Sequence, residues 1–266
     1  MLVKAKKSLG QNFLTDKNVI KKIVNLTKIN NNIIFEIGPG LGSLTQEILE
    51  KNPNFFLGIE KDNKLFNNLL NNFSNFKNLN FINDDALYVD EKKYVPNGKK
   101  AVVFGNLPYN ISTQILIKWI RSVDWPPWYE KLILMFQKEV GERIVANKND
   151  KNYGRLSIIS NWRLNVTKNF DVSKNCFFPR PKVDSMVLTF EPKKNFIKLK
   201  NPKNLEKITE IMFSSRRKMI KNSILKLFKK NDFIEKEFGI DLQLRPENLD
   251  REIFYKLASK YENLLR

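Results

Sequence analysis

The chain contains no histidine and a single cysteine, Cys176, in 266 residues. Without histidine there is neither an imidazole base nor a His-ligated metal, and one thiol cannot close an internal disulfide. Hydrolases of the Ser-His-Asp and Cys-His kinds are thereby excluded. Long apolar runs are also missing. None approaches the roughly 20 residues a bilayer requires, and the lysine-rich segment Met1 to Gly10 lacks the apolar core of a secretory signal. A soluble cytoplasmic protein, with no membrane partner and no bound metal, is expected. Acidic residues are outnumbered, 28 Asp+Glu against 47 Lys+Arg, for a formal net charge of +19. Such an excess points to a polyanionic partner, because cations that neutralise phosphates release counterions. Lysine and asparagine are abundant everywhere, so the distribution of charge says more than its sum. Lys193 to Lys230 carries 13 Lys+Arg and 2 Asp+Glu, or +11, whereas Asn231 to Arg266 carries 6 and 8, or −2.

The apolar residues that are present fall into short runs. Ile33 to Ile37, Phe55 to Ile59, Asn80 to Ile82 and Ala101 to Phe104 read as buried strands, each ending at a Gly or a polar residue. Helix-like stretches such as Ser43 to Lys51 and Asp62 to Asn72 separate them. Alternation of this kind predicts an α/β fold with a mostly parallel, doubly wound sheet, its ligands bound beyond the carboxyl ends of the strands. Leu132 to Phe136 and Ser185 to Phe190 are expected as later strands, and Gln137 to Ala146 as a helix. Glu191 to Asn195 reads as a linker, giving a catalytic domain over 1–190 and a small helical domain over 191–266. In the latter, Leu205, Ile208, Ile211, Met212, Met219, Ile220 and Ile224 recur at helical spacing.

Four loops after the predicted strands carry the chemistry. In Glu36-Ile37-Gly38-Pro39-Gly40-Leu41-Gly42, Gly38 and Gly40 let the backbone approach a ligand and turn into the next helix. A dinucleotide fingerprint needs glycine at the sixth position, where Ser43 stands, so a nicotinamide oxidoreductase is disfavoured. The preceding glutamate and the glycine at the fifth position look instead like the loop that holds S-adenosylmethionine in Rossmann-like methyltransferases. Glu60 closes the second strand, where a carboxylate can accept both ribose hydroxyls. After the third strand, Asn83-Asp84-Asp85-Ala86-Leu87 offers an acid for the exocyclic amine of the cofactor's adenine.

The fourth loop, Gly105-Asn106-Leu107-Pro108-Tyr109, fits adenine N6 as substrate. That nitrogen is a poor nucleophile because its lone pair is delocalised into the ring. The Asn106 side-chain carbonyl and the Leu107 backbone carbonyl can hold the amine with its lone pair turned toward a sulfonium. Pro108 stiffens the turn, and Tyr109 offers a face to an extruded base. The leaving group is a neutral thioether, and the proton can depart after the methyl has moved, so positioning and electrostatics suffice.

These loops, in this order, resemble the small-subunit (16S) ribosomal RNA adenine dimethyltransferases. The likeness extends to Lys7-Ser8-Leu9-Gly10-Gln11-Asn12-Phe13-Leu14, Tyr153-Gly154-Arg155-Leu156-Ser157, Pro181-Lys182-Val183-Asp184-Ser185, Phe213-Ser214-Ser215-Arg216-Arg217-Lys218 and Leu244-Arg245-Pro246-Glu247. The resemblance implies dimethylation of two adjacent adenines in a hairpin near the 3′ end of 16S rRNA, in a small-subunit assembly particle, by a monomer. It implies that Asn12, Leu14, Gly38, Glu60, Asp85 and Asn106 line the S-adenosylmethionine site and that Tyr109 and Phe177 flank the target adenine. Asp85 is chosen over Asp84 because the family's acid directly precedes the Ala, and Phe177 over Phe178 by counting back from Pro181. The large-subunit (23S) rRNA adenine methyltransferases are a neighbouring alternative, and a non-catalytic ribosome-assembly factor is a third. Arg216-Arg217-Lys218, on a predicted amphipathic helix, reads as a phosphate-contacting face whose neutralisation should weaken RNA binding and flatten its salt dependence.

Overall fold

A computed structural model describes residues 5–6, 9–122, 124–229 and 232–264. Lys7 and Ser8 of the first motif therefore lie outside the described residues. The chain divides into two compact units. One comprises the chain up to Lys118 with Pro126–Gly141 and Thr167–Pro192; the other comprises Trp119–Trp125, Glu142–Val166 and Lys193–Arg266.

In the first unit the apolar runs become strands as their composition requires: β2 (Ile33–Ile37), β3 (Phe55–Ile59), β4 (Leu79–Ile82), β5 (Ala101–Asn106), β6 (Tyr129–Gln137) and β9 (Ser185–Pro192). The seven-stranded sheet has the order β4-β3-β2-β5-β6-β9-β7, where β7 is Leu164–Val172. Neighbours from β4 to β6 run parallel, and β9 joins β6 antiparallel. The chain steps outward from β2 to β4 and then returns to β5, on the other flank of β2. The strand order thus reverses at β2, with β3 on one flank and β5 on the other, opening a crevice beyond the carboxyl ends of β2 and β5. Ile37 pairs with both Gly105 and Ile59, which sets the glycine loop, the Asn106 turn and Glu60 side by side.

Helices α1 (Lys17–Val24), α2 (Ser43–Leu49) and α3 (Asn63–Asn72) bury one face each; Ile20, Ile23, Val24, Ile48 and Leu69 join a core with Phe56, Phe81 and Phe104. Asp62 starts α3 by accepting the Lys64 and Leu65 N–H groups, a local cap that also fixes where Glu60 ends its strand. Helix α4 (Ser112–Ile120) follows the Asn106 turn directly. Three strands are not anticipated by the sequence: β7, and the two-residue β1 (Phe13–Leu14) and β8 (Phe177–Phe178), which pair antiparallel.

The second unit is not confined to residues after the expected 190/191 boundary. A buried cation explains why earlier segments belong to it. The Arg163 guanidinium, in a residue 4% exposed, lies over the rings of Trp162 (4.1 Å), Trp125 (5.1 Å) and Phe196 (5.3 Å) and donates to the Ile120 carbonyl at 3.1 Å. Helices α6 (Arg155–Arg163), α7 (Lys203–Phe213), α8 (Lys221–Phe228), α9 (Asp232–Phe238) and α10 (Arg251–Leu264) form most of this unit. Tyr153 and Tyr255 fasten it internally by donating to the Leu249 and Ile158 carbonyls, both at 2.9 Å. Arg216-Arg217-Lys218 does not lie on a helix, contrary to expectation: α7 ends at Phe213, and the backbone turns until Ile220 donates to the Leu244 carbonyl at 2.8 Å. That bond, together with one from Lys221 N–H to the Leu242 carbonyl, diverts the chain between α7 and α8. Among the described residues no helix is long and apolar enough to cross a membrane.

Candidate active site

The crevice holds a cavity of about 170 Å³. Asn12, Leu14, Gly38, Gly40, Glu60 and Asp85 all line it, and so does the whole turn from Asn106 to Tyr109. Ten of the eleven catalytic and cofactor residues anticipated from the sequence thus meet at one place. Glycine is obligatory in parts of the β2 loop. Gly40 has φ +62° and a Cβ there would stand 3.0 Å from the Phe13 ring, while Gly42 has φ +82° and would drive a Cβ into the Phe73 ring at 2.6 Å.

Glu60 is 6% exposed and already organised: one carboxylate oxygen accepts the Gly40 N–H at 3.0 Å and the other the Asp62 N–H at 2.9 Å. Burial pushes its carboxyl up, and those two backbone donors oppose the rise. Each oxygen has a further lone pair for a ligand hydroxyl. Glu36, 2% exposed, accepts from the Thr45 hydroxyl at 2.7 Å. Its carboxyl is pushed up to about 8, by burial first and then by the nearby Glu60, with the Thr45 hydroxyl pulling the other way. Burial also works against the charge of Asp85, but the Lys61 ammonium at 2.7 Å and the Leu87 N–H outweigh it and hold its carboxyl below the usual range. Asp84 lines the cavity too, and accepts from the Asp85 N–H.

The Asn106 amide has a defined orientation. Its Nδ2 lies 3.0 Å from the Asn12 carbonyl oxygen, which can only accept. The amide oxygen therefore faces the other way, and among the described residues neither it nor the Leu107 carbonyl accepts a hydrogen bond. Two acceptors are left at the end of β5 with no protein donor. The Pro108 carbonyl accepts from Ile111 and Ser112, closing the turn into α4. Tyr109 is held by a 2.8 Å bond between its hydroxyl and that of Ser185; burial pushes its phenol pKa up, with Ser185 opposing. Ser185 belongs to a quoted motif, but the sequence did not reveal its role as the partner of Tyr109. Gln11 was likewise missed: together with Lys6 it binds Asp62, at 3.3 Å and 2.7 Å respectively, and ties the amino-terminal segment to the start of α3.

Phe177, expected to flank the target adenine, is not among the residues that line this cavity. It is 4% exposed and packs in the core with Leu14, Met135 and Val187, while its backbone pairs with Leu14. Phe178, the other member of the doublet, is 61% exposed. Successive residues of a strand face opposite ways, so one ring must be buried and the other exposed. In the second unit Arg216 is engaged internally, its Nε donating to Glu247 at 2.7 Å and a terminal nitrogen to the Asp150 carbonyl at 3.3 Å. Arg217 and Lys218 are exposed.

The buried Glu60 carboxyl, the ionised Asp85, a glycine cradle and a pair of carbonyls with no donor among the described residues, at the reversal point of a doubly wound sheet, fit a cationic nucleoside and an amine to be alkylated. This is a Rossmann-like, S-adenosylmethionine-dependent methyltransferase.

Comparison with known proteins narrows the class. The family model for ribosomal RNA adenine dimethylase matches residues 2–263. Ribosomal RNA small subunit methyltransferase A of Pelagibacter ubique is 52% identical over 264 residues, 99% of each chain. The protein of that name from a Wolbachia strain of Drosophila simulans is 40% identical over 99% of this chain and 96% of its own. A dimethyladenosine transferase from Plasmodium falciparum superposes with a TM-score of 0.79 at 27% identity, covering 94% of this chain and 98% of its own. The 23S rRNA methyltransferase ErmE shares the fold, with a TM-score of 0.69 at 21% identity over 94% of this chain and 99% of its own. The chain belongs to the ribosomal RNA adenine dimethylase family.

Proposed function

We propose that this enzyme dimethylates the N6 amines of two adjacent adenosines in a hairpin near the 3′ end of 16S rRNA, acting as a cytoplasmic monomer on an assembling small-subunit particle. The observation that carries the chemistry is the orientation of Asn106. With Nδ2 committed to the Asn12 carbonyl at 3.0 Å, the amide oxygen and the Leu107 carbonyl are the acceptors for the two N6 protons. By accepting both protons these oxygens draw N6 out of its planar, conjugated geometry, so that its lone pair turns toward the methyl donor. After the first transfer one proton remains, and either acceptor can hold it while the second methyl is added.

When bound, S-adenosylmethionine supplies an electrophilic methyl on a sulfonium that leaves as a neutral thioether. The chain's own residues do the rest. Glu60 accepts the ribose hydroxyls with its free lone pairs, and Asp85 accepts from the cofactor's adenine amine. Gly38 and Gly40 bring backbone close to the ligand, with Asn12 and Leu14 covering it. Tyr109, steadied by Ser185, stacks on the extruded adenine. Phe177 supports the site from the core, through the strand pairing that places Leu14.

RNA contact falls to the second unit, where exposed Arg217 and Lys218 reach phosphates and Arg216 holds the turn that presents them. The small-subunit substrate follows from relatives that bear that name at 52% and 40% identity over nearly the whole chain. The experiment is incubation with labelled S-adenosylmethionine and unmethylated small-subunit particles, followed by mapping of the modified nucleosides. Label in two neighbouring adenosines near the 3′ end is the expected result. Label confined to large-subunit RNA would overturn the substrate assignment.

A further inference from the structure

One largely buried cation of the first unit takes no part in the chemistry above. Lys118 lies on α4, the helix that begins three residues after Tyr109. Its side chain is 27% exposed and that of its partner Glu91 only 3%. The ammonium donates to the Ala86 carbonyl at 2.8 Å, to the Val89 carbonyl at 2.5 Å and to the Glu91 carboxylate at 2.8 and 2.9 Å. Three acceptor groups match the three protons an ammonium carries.

All three acceptors belong to the segment that follows β4, in which Asp84, Asp85 and Ala86 line the cavity. Within that segment the Asp85 carbonyl accepts from Tyr88 and Val89 and its carboxylate from Leu87, and Glu91 opens a single turn of 3₁₀ helix. Its start is tied to the end of β3, where the Lys61 ammonium meets the Asp85 carboxylate at 2.7 Å and the Asn83 amide donates to the Glu60 carbonyl at 2.9 Å. Lys118 adds a second tie, to α4, through Ala86, Val89 and Glu91. It reaches from the helix carrying the amine-holding turn to the loop carrying the cofactor's acid, and its charge also helps to keep Asp85 ionised. Lys118 itself does not line the cavity.

We infer that Lys118 is a positioning residue for the adenine end of the cofactor, fastening the Asp85–Val89 segment to α4 and so setting cofactor affinity without touching cofactor or RNA. This rests on the assignment of the cavity to S-adenosylmethionine. Removing the lysine alone would take the Lys118 ammonium from the buried Glu91 carboxylate, which can destabilise a protein for reasons unrelated to positioning. The test therefore uses the full chain with Lys118→Met paired with Glu91→Met, which leaves no orphan charge, and Lys118→Arg, which keeps the donors.

Dissociation constants for S-adenosylmethionine and for 5′-methylthioadenosine, which lacks the amino-acid end, are measured by calorimetry. In the double variant both are expected to rise together by about tenfold, while turnover at saturating cofactor and affinity for RNA stay unchanged. Lys118→Arg is expected to retain most of the wild-type affinity. Unchanged cofactor affinity in the folded double variant, or an equal loss in RNA affinity and turnover, would overturn the inference. Glu60→Ala separates this from failure of the underlying assignment. If it weakens cofactor binding and the Lys118 variants do not, only the role of Lys118 is wrong. If it too has no effect, the cavity is not the cofactor site.

Discussion

Glu36→Gln is expected to make the protein more stable at alkaline pH and no different at acid pH. The folded protein holds the Glu36 carboxyl near 8, against 4.5 for an exposed glutamate, chiefly through burial. Below pH 4.5 folded and unfolded chains are both protonated at this site, and the group is neutral toward stability. Between 4.5 and about 8 the folded state keeps the proton and the unfolded state releases it, so stability falls as pH rises. Above 8 both are ionised and the loss is complete. At about 1.4 kcal/mol per pH unit the ceiling on this loss is about 5 kcal/mol, and relaxation of the site would reduce it. Even a third of that resolves clearly in urea midpoints. Glutamine keeps the size and the acceptor for the Thr45 hydroxyl but cannot ionise. The assay is urea unfolding of both proteins at intervals from pH 5 to 9, taking the difference so that every other titrating group cancels. Parallel curves would refute the claim that Glu36 stays protonated in the folded state.

Three more outcomes are expected. Asn106→Ala removes one of two amine acceptors and should lower turnover by roughly 10²-fold or more, with S-adenosylmethionine affinity measured by calorimetry much less affected; equal losses would mean that Asn106 holds cofactor rather than amine. Phe177→Ala should cost about 3–5 kcal/mol of unfolding free energy, as for other buried rings, whereas Phe178→Ala should leave the urea midpoint in place. The reverse pattern would show that the doublet faces the other way. Neutralising Arg217 and Lys218 together should flatten the salt dependence of RNA binding by nearly two units of log-log slope, while Arg216→Ala alone should loosen the turn between α7 and α8, visible as faster amide exchange; a slope unchanged by the first pair would remove them from the interface.

Much of the site was legible because its residues sit in loops that directly follow recognisable strands. Short apolar runs ending in Gly, Glu or Asn mark the carboxyl edge of a parallel sheet whatever the rest of the chain does, so Gly38, Glu60, the Asp84-Asp85 pair and Asn106 could be placed together from their positions after the strands, Asp85 being singled out only by the family resemblance. What escaped was long-range or too short to have a period. The pairing of Phe13–Leu14 with Phe177–Phe178 joins two-residue strands far apart in the chain, and without it the doublet cannot be oriented. The strand Leu164–Val172 is mostly polar and half exposed, so it carries no apolar signal. Periodicity ran unbroken through Met219 and Ile220 because both fit a helical stripe, yet the Ile220 and Lys221 backbone N–H groups are taken by the Leu242–Leu244 segment instead. Residues 119–125 and 142–166 join the second unit through Arg163 and its ring of aromatics, a tertiary association that no linear boundary expresses.

The cavity is lined by Glu60, Asp84 and Asp85 and by the largely protonated Glu36, with Lys61 as the one basic side chain among the described residues that line it, in a chain of net charge +19. On the proposed assignment the two ligands of the reaction are thereby sorted by sign: the sulfonium goes to the acidic cavity and the phosphodiester backbone to the basic surface. Salt acts on these attractions unequally, since buried charges are screened far less than exposed ones. Raising ionic strength should therefore weaken the hold on the nucleic acid well before it weakens the hold on the small cation.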